Sequence, residues 1–450
     1  MSLRKLRHQR LFHRSLLIGL VSAILFFFTP FQVMADTESD LINQRIEKLE
    51  KELAELKALL KEKNVGDQEI AAKTEADKEK KVETSAAAEA DRFKFTPYGY
   101  IKLDASYDDS AVNDGDYVIY VLSEAAVSDD NEFNMTARQT RLGLVISAPD
   151  FEGWKTKGKL EIDFYGNGPA VHENKSEIMM RHAFLEFKKG NFGILAGQTW
   201  DVISPLNPST LNYTVGWAAG NIGYRRPQIR LSYNSGQNNP MNISAEYALS
   251  RTSGLTNEDL DAGGQNDGED SGFPTMQGRI ALATELMGKK KSVFGISGHY
   301  GKEEVDWAGA EKDMKSWSVN WDFTIPLYDY LTLMGEAFIG ENLDDYFGGI
   351  LQGVNTTTQS EIRSRGVWTQ LSFKPDDKWQ YNAGFGLDDP DHMDINDSMR
   401  DKNTFYFANA LFKLAPPLTL GLEYSYWATD YKNLTGGRDN RLQCSFIYSW

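Results

Sequence analysis

Six cationic side chains sit in stretches where apolar and polar residues alternate, always on the polar phase. Arg141 opposes Leu142, Leu144 and Ile146. Arg226 and Arg230 oppose Ile229, Leu231 and Tyr233, and Arg279 opposes Ile280, Leu282 and Leu286. Arg441 opposes Leu442, Cys444, Phe446 and Tyr448; Lys102 opposes Ile101 and Leu103. Side chains alternate at period 2 along a strand, so these cations share the polar face of their strands. Arginine stays protonated and grips a carboxylate with two parallel hydrogen bonds. Rings of Arg and Lys on a water-filled wall make an anion pore. The alternative stays open for each cation: it pairs with an acid such as Asp104, Glu161, Asp163, Glu285 or Glu423 and braces the wall. Arg138, Arg181, Arg225 and Arg251 stand nearby in an ambiguous phase.

Other chemistry finds little support. The six histidines show no HExxH spacing, and the one cysteine, Cys444, offers no thiolate pair for zinc. His299 with Ser297 is the nearest approach to a hydrolytic pair, a spacing common by chance. Residues 266–270 hint at a calcium loop without its full ligand spacing. The expectation is no enzyme, no cofactor and no metal. A net charge of -16 argues against nucleic acid, which demands clustered Lys and Arg.

From Phe93 onward amphipathic stretches alternate with two kinds of connection. Short ones are 149–154, 189–191, 235–241, 288–291, 326–329, 375–378 and 415–417. Long, polar ones are about 108–132, 167–177, 202–224, 252–275, 302–313, 341–361, 388–401 and 429–438. Their strict alternation predicts sixteen antiparallel strands closed as an outer-membrane barrel, with short periplasmic turns and long outer loops. Ser316 to Ile325 alternates cleanly, and Lys157, Lys159, Glu161 and Asp163 oppose Gly158, Leu160, Ile162 and Phe164. Charges at every second residue are costly in a core and natural in a wet lumen. Tyr328, Tyr330, Tyr424, Tyr426, Trp427, Tyr448 and Trp450 are expected in interfacial girdles. The connection 202–224 is apolar, with Leu206, Leu211, Tyr213, Val215, Trp217 and Ile222, and is expected to fold into the lumen or a subunit contact. The outer loops are acidic and suit solvent or divalent cations at a lipopolysaccharide surface.

The N-terminal part reads differently. Residues 1–35 form a basic, then apolar, then small-residue pattern expected of a signal peptide cleaved after Ala35. In 36–63, Ile46, Leu53 and Leu60 at a and Leu49 and Leu56 at d make a short periplasmic coiled coil of two or three strands. Residues 64–92 are a charged linker, and 93–450 are the barrel.

Four stretches carry a family resemblance: Tyr98 to Asp104 (YGYIKLD), Arg138 to Gly143 (RQTRLG), Ala196 to Trp200 (AGQTW) and Arg225 to Arg230 (RRPQIR). With the heptads, the chain resembles the DcaP-like outer-membrane porins. The resemblance implies a homotrimer of sixteen-stranded barrels and uptake of small anions, dicarboxylates among them, through a basic constriction. Arg138, Arg141, Arg226 and Arg230 are the matching positions. Phosphate-selective or general porins, and a structural tether whose coiled coil touches the cell-wall layer, are the alternatives.

Overall fold

The computed structural model describes residue 51 and residues 93–127, 130–166, 175–236, 239–251, 259–263, 266–287, 290–307 and 309–450. The expected signal peptide, heptads and linker lie outside the described residues, Lys51 excepted.

Sixteen antiparallel strands close into one barrel. In chain order they are β1 Lys94–Asp108, β2 in two pieces (Glu132–Thr136 and Arg141–Ser147), β3 Lys155–Asp163, β4 Met179–Lys189, β5 Phe192–Trp200, β6 Arg225–Asn234, β7 Met241–Ser250 and β8 Thr275–Glu285. There follow β9 Lys291–Trp307, β10 Ala310–Tyr328, β11 Leu331–Glu341, β12 Arg363–Phe373, β13 Trp379–Pro390, β14 Arg400–Ala415, β15 Leu418–Tyr431 and β16 Leu434–Ser449. Both pieces of β2 pair with β1, so they count as one strand interrupted at 137–140. Closure comes from β1 against β16, with Tyr100 opposite Ser449 and Tyr107 opposite Leu442. A closed ladder leaves no unpaired edge for lipid to face.

The barrel is inside-out, as the strand phases predict. Along β10, Ser316, Ser318, Asn320 and Asp322 are buried in the lumen, while Trp321 on the other face is 42% exposed. Ile229 and Leu231 point outward, and Arg226 and Gln228 inward. One girdle is continuous: Tyr328 stacks on Tyr330, Tyr330 meets Phe373, Phe373 meets Tyr381, and Tyr381 stacks on Trp379. Aromatic rings at such a rim suit the half-polar interface of a bilayer. Trp427 corrects the expected girdle. It is fully buried, faces the lumen and stacks on Phe405 at 4.6 Å. As the neighbour of Tyr426 it necessarily takes the opposite face.

Two of the eight expected long loops are strand instead. Pairing runs from β9 to Trp307 and resumes at Ala310; it runs from β15 to Tyr431 and resumes at Leu434. Polar composition there marks the water outside the bilayer, and a hydrated ladder continues as well as a lipid-facing one. Gly309 and Asn433, with φ of 85° and 54°, make the turns. In the connection 251–274, the suggested calcium loop forms one helical turn, Asp267–Asp270, capped by the Asn266 side chain. The carboxylates of Asp259, Asp261 and Asp267 lie within 4.8 Å of one another. Burial, with Asp261 and Asp259 alongside, pushes the Asp267 carboxyl up to about 6.

Candidate pore constriction

The apolar connection 201–224, here L3, turns into the lumen. Its base is closed by Asp201, whose N–H donates to the Tyr224 carbonyl at 2.7 Å while its carboxylate accepts the Tyr224 N–H at 2.9 Å. Beyond that clip L3 crosses the barrel, pinned by lumenal side chains of successive strands. The Val202 N–H donates to Gln277 Oε1 on β8 and the Leu206 N–H to Glu336 Oε1 on β11. The Ser209 N–H donates to Gln370 Oε1 on β12. Glu423 on β15 accepts the Leu211 N–H at 2.7 Å and the Thr210 hydroxyl at 2.6 Å. Lys102 on β1 and Gln443 on β16 both donate to the Leu211 carbonyl. A loop without internal sheet must place its amides somewhere, and here the wall accepts them.

L1 (109–131) and L6 (342–362) pack on L3. Val112, Val118 and Val121 of L1 join Ala219 against Phe405, Phe407 and Trp427. Ile203 and Ile222 meet Phe338, Leu343 and Tyr346. Trp217 and Phe347 stack at 4.1 Å with parallel rings. The loops therefore form an apolar core within the lumen, seated on the wall from β8 round to β1. Gly220 permits that seating: its φ is 103°, and a Cβ there would stand 2.9 Å from the Leu387 backbone nitrogen and overlap the Val367 carbonyl oxygen. Gly220→Val is expected to lift L3 off β12 and β13, with the barrel itself still folded. The check is single-channel recording, which should show a larger, noisier conductance than the parent.

Within the remaining wall, β2 to β7, the stretch from β2 to β6 is basic. Glu161 is a hub: Arg181 approaches it at 2.9 Å, Lys159 at 3.3 Å and Arg141 at 3.5 Å. Arg181 also holds Asp163 at 2.6 Å. Three cations share two carboxylates there, a surplus of one positive charge. Arg141 and Lys159 keep 22% and 23% of their side chains exposed. Arg230 pairs with Glu246 at 3.3 Å and keeps 15%.

Arg225 differs from all of these. It opens β6 and is 2% exposed, yet no carboxylate lies within ion-pair distance among the described residues. Its guanidinium lies over the rings of Tyr224 at 4.4 Å and Trp200 at 4.7 Å. Its Nε and Nη1 are buried without a hydrogen-bond partner. Buried donors are normally satisfied, so an unmet pair on a cation calls for an explanation. Arg225 lines a cavity of about 510 Å³ with Tyr117, Tyr165, Tyr213, Trp217, Tyr224 and Phe347, and with Asp114 and Asp344 among its acids. Such a cavity offers aromatic walls and three arginines, of which Arg226 pairs with Asp201 and Arg251 with Glu269, while Arg225 has no carboxylate partner among the described residues. Sequence phase misses Arg225 because it stands at the junction of L3 and β6, beside an arginine of clear phase.

Most of the sequence-expected solute contacts hold protein groups instead. Arg226, 1% exposed, pairs with Asp201 at 2.9 Å, donates to the Asp345 carbonyl and lies 4.0 Å over Tyr346. Arg441 pairs with Asp108 at 3.0 Å and donates to the Asp116 carbonyl of L1. Lys102 pairs with Asp104 at 3.1 Å beneath L3. Arg279 clasps Asp322 through Nε and Nη2. Arg138 pairs with Asp116 at 2.5 Å and lies over Tyr165. Each of these five cations is thus engaged by protein groups of the loops or wall. Although Arg226 and Arg230 share a strand face, they differ in state: Asp201 closes Arg226, and Arg230 is partly open. His299 gives both ring nitrogens to β10 serines, Ser318 at 2.7 Å and Ser316 at 3.0 Å, and stacks on Tyr346. Ser297 instead accepts the Ser204 N–H of L3.

Comparison with known proteins agrees with the geometry. The family model described as DcaP outer membrane protein matches residues 28–247. Comparison with curated protein sequences gives no match. Among solved structures, the outer membrane channel DcaP of Acinetobacter baumannii is similar at 20% identity and a TM-score of 0.63, covering 80% of this chain and 97% of that one. The anion-selective porin of Comamonas acidovorans is similar at 12% identity and a TM-score of 0.52, covering 80% and 100%. Salmonella typhi OmpF, in complex with daunomycin, is similar at 12% identity and a TM-score of 0.51, covering 80% and 98%. The fold is that of a porin-like outer-membrane channel.

Proposed function

We propose that this chain, which resembles the DcaP-like outer-membrane porins, is a passive diffusion channel that prefers small anions, dicarboxylates among them. Arg225 carries the reading. It is a buried guanidinium with two unmet nitrogens, facing a cavity on the basic side of a lumen that loops fill on the other side. Conduction needs an anion drawn in and then released, so its binding is best divided among weak sites. Arg225 and the positive surplus around Glu161 supply two such sites, with Arg141, Lys159 and Arg230 partly open to water. Arg226, Arg441, Lys102, Arg279 and Arg138 act by positioning L1, L3 and L6, which narrow the path. The working state is proposed to be a homotrimer in the outer membrane, with the N-terminal segment in the periplasm.

Uptake into vesicles tests the reading. With the protein in neutral liposomes, a small aliphatic dicarboxylate should enter several times faster at low salt than a diamine of the same length, because screening at high salt mutes fixed charges. Equal rates for the two would contradict it.

A further inference from the structure

Met179 and Met180 open β4 on opposite faces. Both border the cavity beside Arg225, Met180 at its more exposed edge (46%) and Met179 with its sulfur turned to the Arg225 guanidinium. Three donors converge on the Met179 sulfur: the Tyr224 hydroxyl at 3.1 Å, Arg225 Nη2 at 3.6 Å and the Tyr213 hydroxyl at 3.8 Å. A thioether is a weak acceptor. The single Tyr213 hydrogen is also claimed by Asp163 Oδ2 at 3.3 Å, whereas the Tyr224 hydroxyl and the Arg225 guanidinium meet only this weak acceptor among the described residues and leave hydrogen-bonding capacity unspent at a single point. A solute anion can take it up from outside. So can the sulfur itself, once it carries an oxygen.

We propose that Met179 is a modification site for hydrogen peroxide, and that its sulfoxide occupies the donors of Arg225 and lowers anion passage. The second half rests on the anion-channel reading above. In the step, the sulfur lone pair attacks one peroxide oxygen, forming the S–O bond as the O–O bond breaks. Sulfur loses two electrons and peroxide gains them. The departing hydroxide takes the proton from the transferred oxygen and leaves as water. Negative charge grows on that departing oxygen within reach of Arg225 and Tyr224, whose donors stabilise it. The product oxygen is polar and accepts strongly, where the thioether was soft and apolar. It competes with any solute carboxylate for the same guanidinium.

The surrounding molecule supplies a control. Met393 in the outer connection between β13 and β14 is 81% exposed, so exposure alone favours its oxidation. The full-length channel in liposomes is treated with dilute hydrogen peroxide. Peptide mass spectrometry follows each methionine, and bilayer recording follows the reversal potential. Met179 is expected to oxidise at least as fast as Met393 despite its partial burial. Tyr224→Phe should slow Met179 several-fold and leave Met393 unchanged. Oxidation should reduce the anion-to-cation permeability ratio about threefold, as loss of one pore site would. Met179→Leu channels, each compared with their own untreated state, should show no such shift. A Met179 that stays a thioether while Met393 oxidises overturns the modification. Oxidised Met179 in an anion-selective channel whose ratio does not move overturns the loss of passage. A channel with no anion preference before treatment overturns the underlying reading and the loss of passage with it, while mass spectrometry still decides the oxidation.

Discussion

Arg225→Ala is expected to shift the reversal potential toward cations while leaving the barrel intact. Its only hydrogen-bond partner among the described residues is the Met179 sulfur. Truncation therefore strips no carboxylate of its cation, and the lost contacts are stacking on Trp200 and Tyr224. A unit charge about 5 Å from a passing anion, at an effective dielectric near 20, contributes roughly 3 kcal/mol. Hydration of the path and neighbouring acids reduce that, so about a five-fold fall in anion preference at low salt is the expected scale. Arg226→Ala makes the opposite pattern. It leaves Asp201 buried without its guanidinium, and breaking a buried pair costs about 3–5 kcal/mol. Because Asp201 closes the base of L3, the result should be a loosened loop and fluctuating conductance rather than a clean selectivity change. Two adjacent arginines thus separate solute contact from bracing. If Arg226→Ala alone moved selectivity and Arg225→Ala did nothing, the assignment would be reversed.

Releasing L3 from its wall should have the other large effect. Glu423 accepts from Thr210, Leu211 and Asn409, and Glu336 accepts from Leu206 and Trp368. Replacing both by Ala leaves the loop amides of Leu206 and Leu211 buried without acceptors, at about 1–3 kcal/mol each. The strands do not depend on these bonds, since their ladders are main-chain. The double variant is expected to show a conductance about twice that of the parent, with slow switching between levels as L3 leaves and regains its seat. Glu423→Gln alone keeps an acceptor oxygen for Leu211 and Asn409 and an amide that can donate to the Thr210 hydroxyl, and should stay close to the parent. A double alanine variant with unchanged, quiet conductance would mean that L3 does not narrow the path.

Strand phase was legible because water inside and lipid outside impose period 2 on every strand, as Ser316 to Ile325 and Arg441 to Tyr448 show. L3 was legible for the same physical reason, since Leu211, Trp217 and Ile222 require a place away from water. The state of each arginine was not. Arg226 is closed by Asp201 from L3 and by a carbonyl of L6, Arg441 by a carbonyl of L1, and Arg138 by Asp116 of L1. Those partners arrive from loops distant in sequence, so period along one strand cannot announce them. Arg225 was hidden by the reverse circumstance, as its significance lies in a partner that does not arrive. Loop length was misread at 302–313 and 429–438 because polarity marks where the bilayer ends, and pairing does not stop there.

The sign of the reversal potential is the most direct test. The unmodified channel in a neutral planar bilayer is placed between dilute and tenfold more concentrated potassium chloride, conditions in which ~10–30 Å screening lengths leave fixed lumenal charges effective. A reversal potential of the sign set by chloride flow, diminishing as both solutions are raised toward molar salt, is the predicted result. A potential of the sign set by potassium, or none at low salt, would contradict an anion path along Arg225 and the Glu161 cluster.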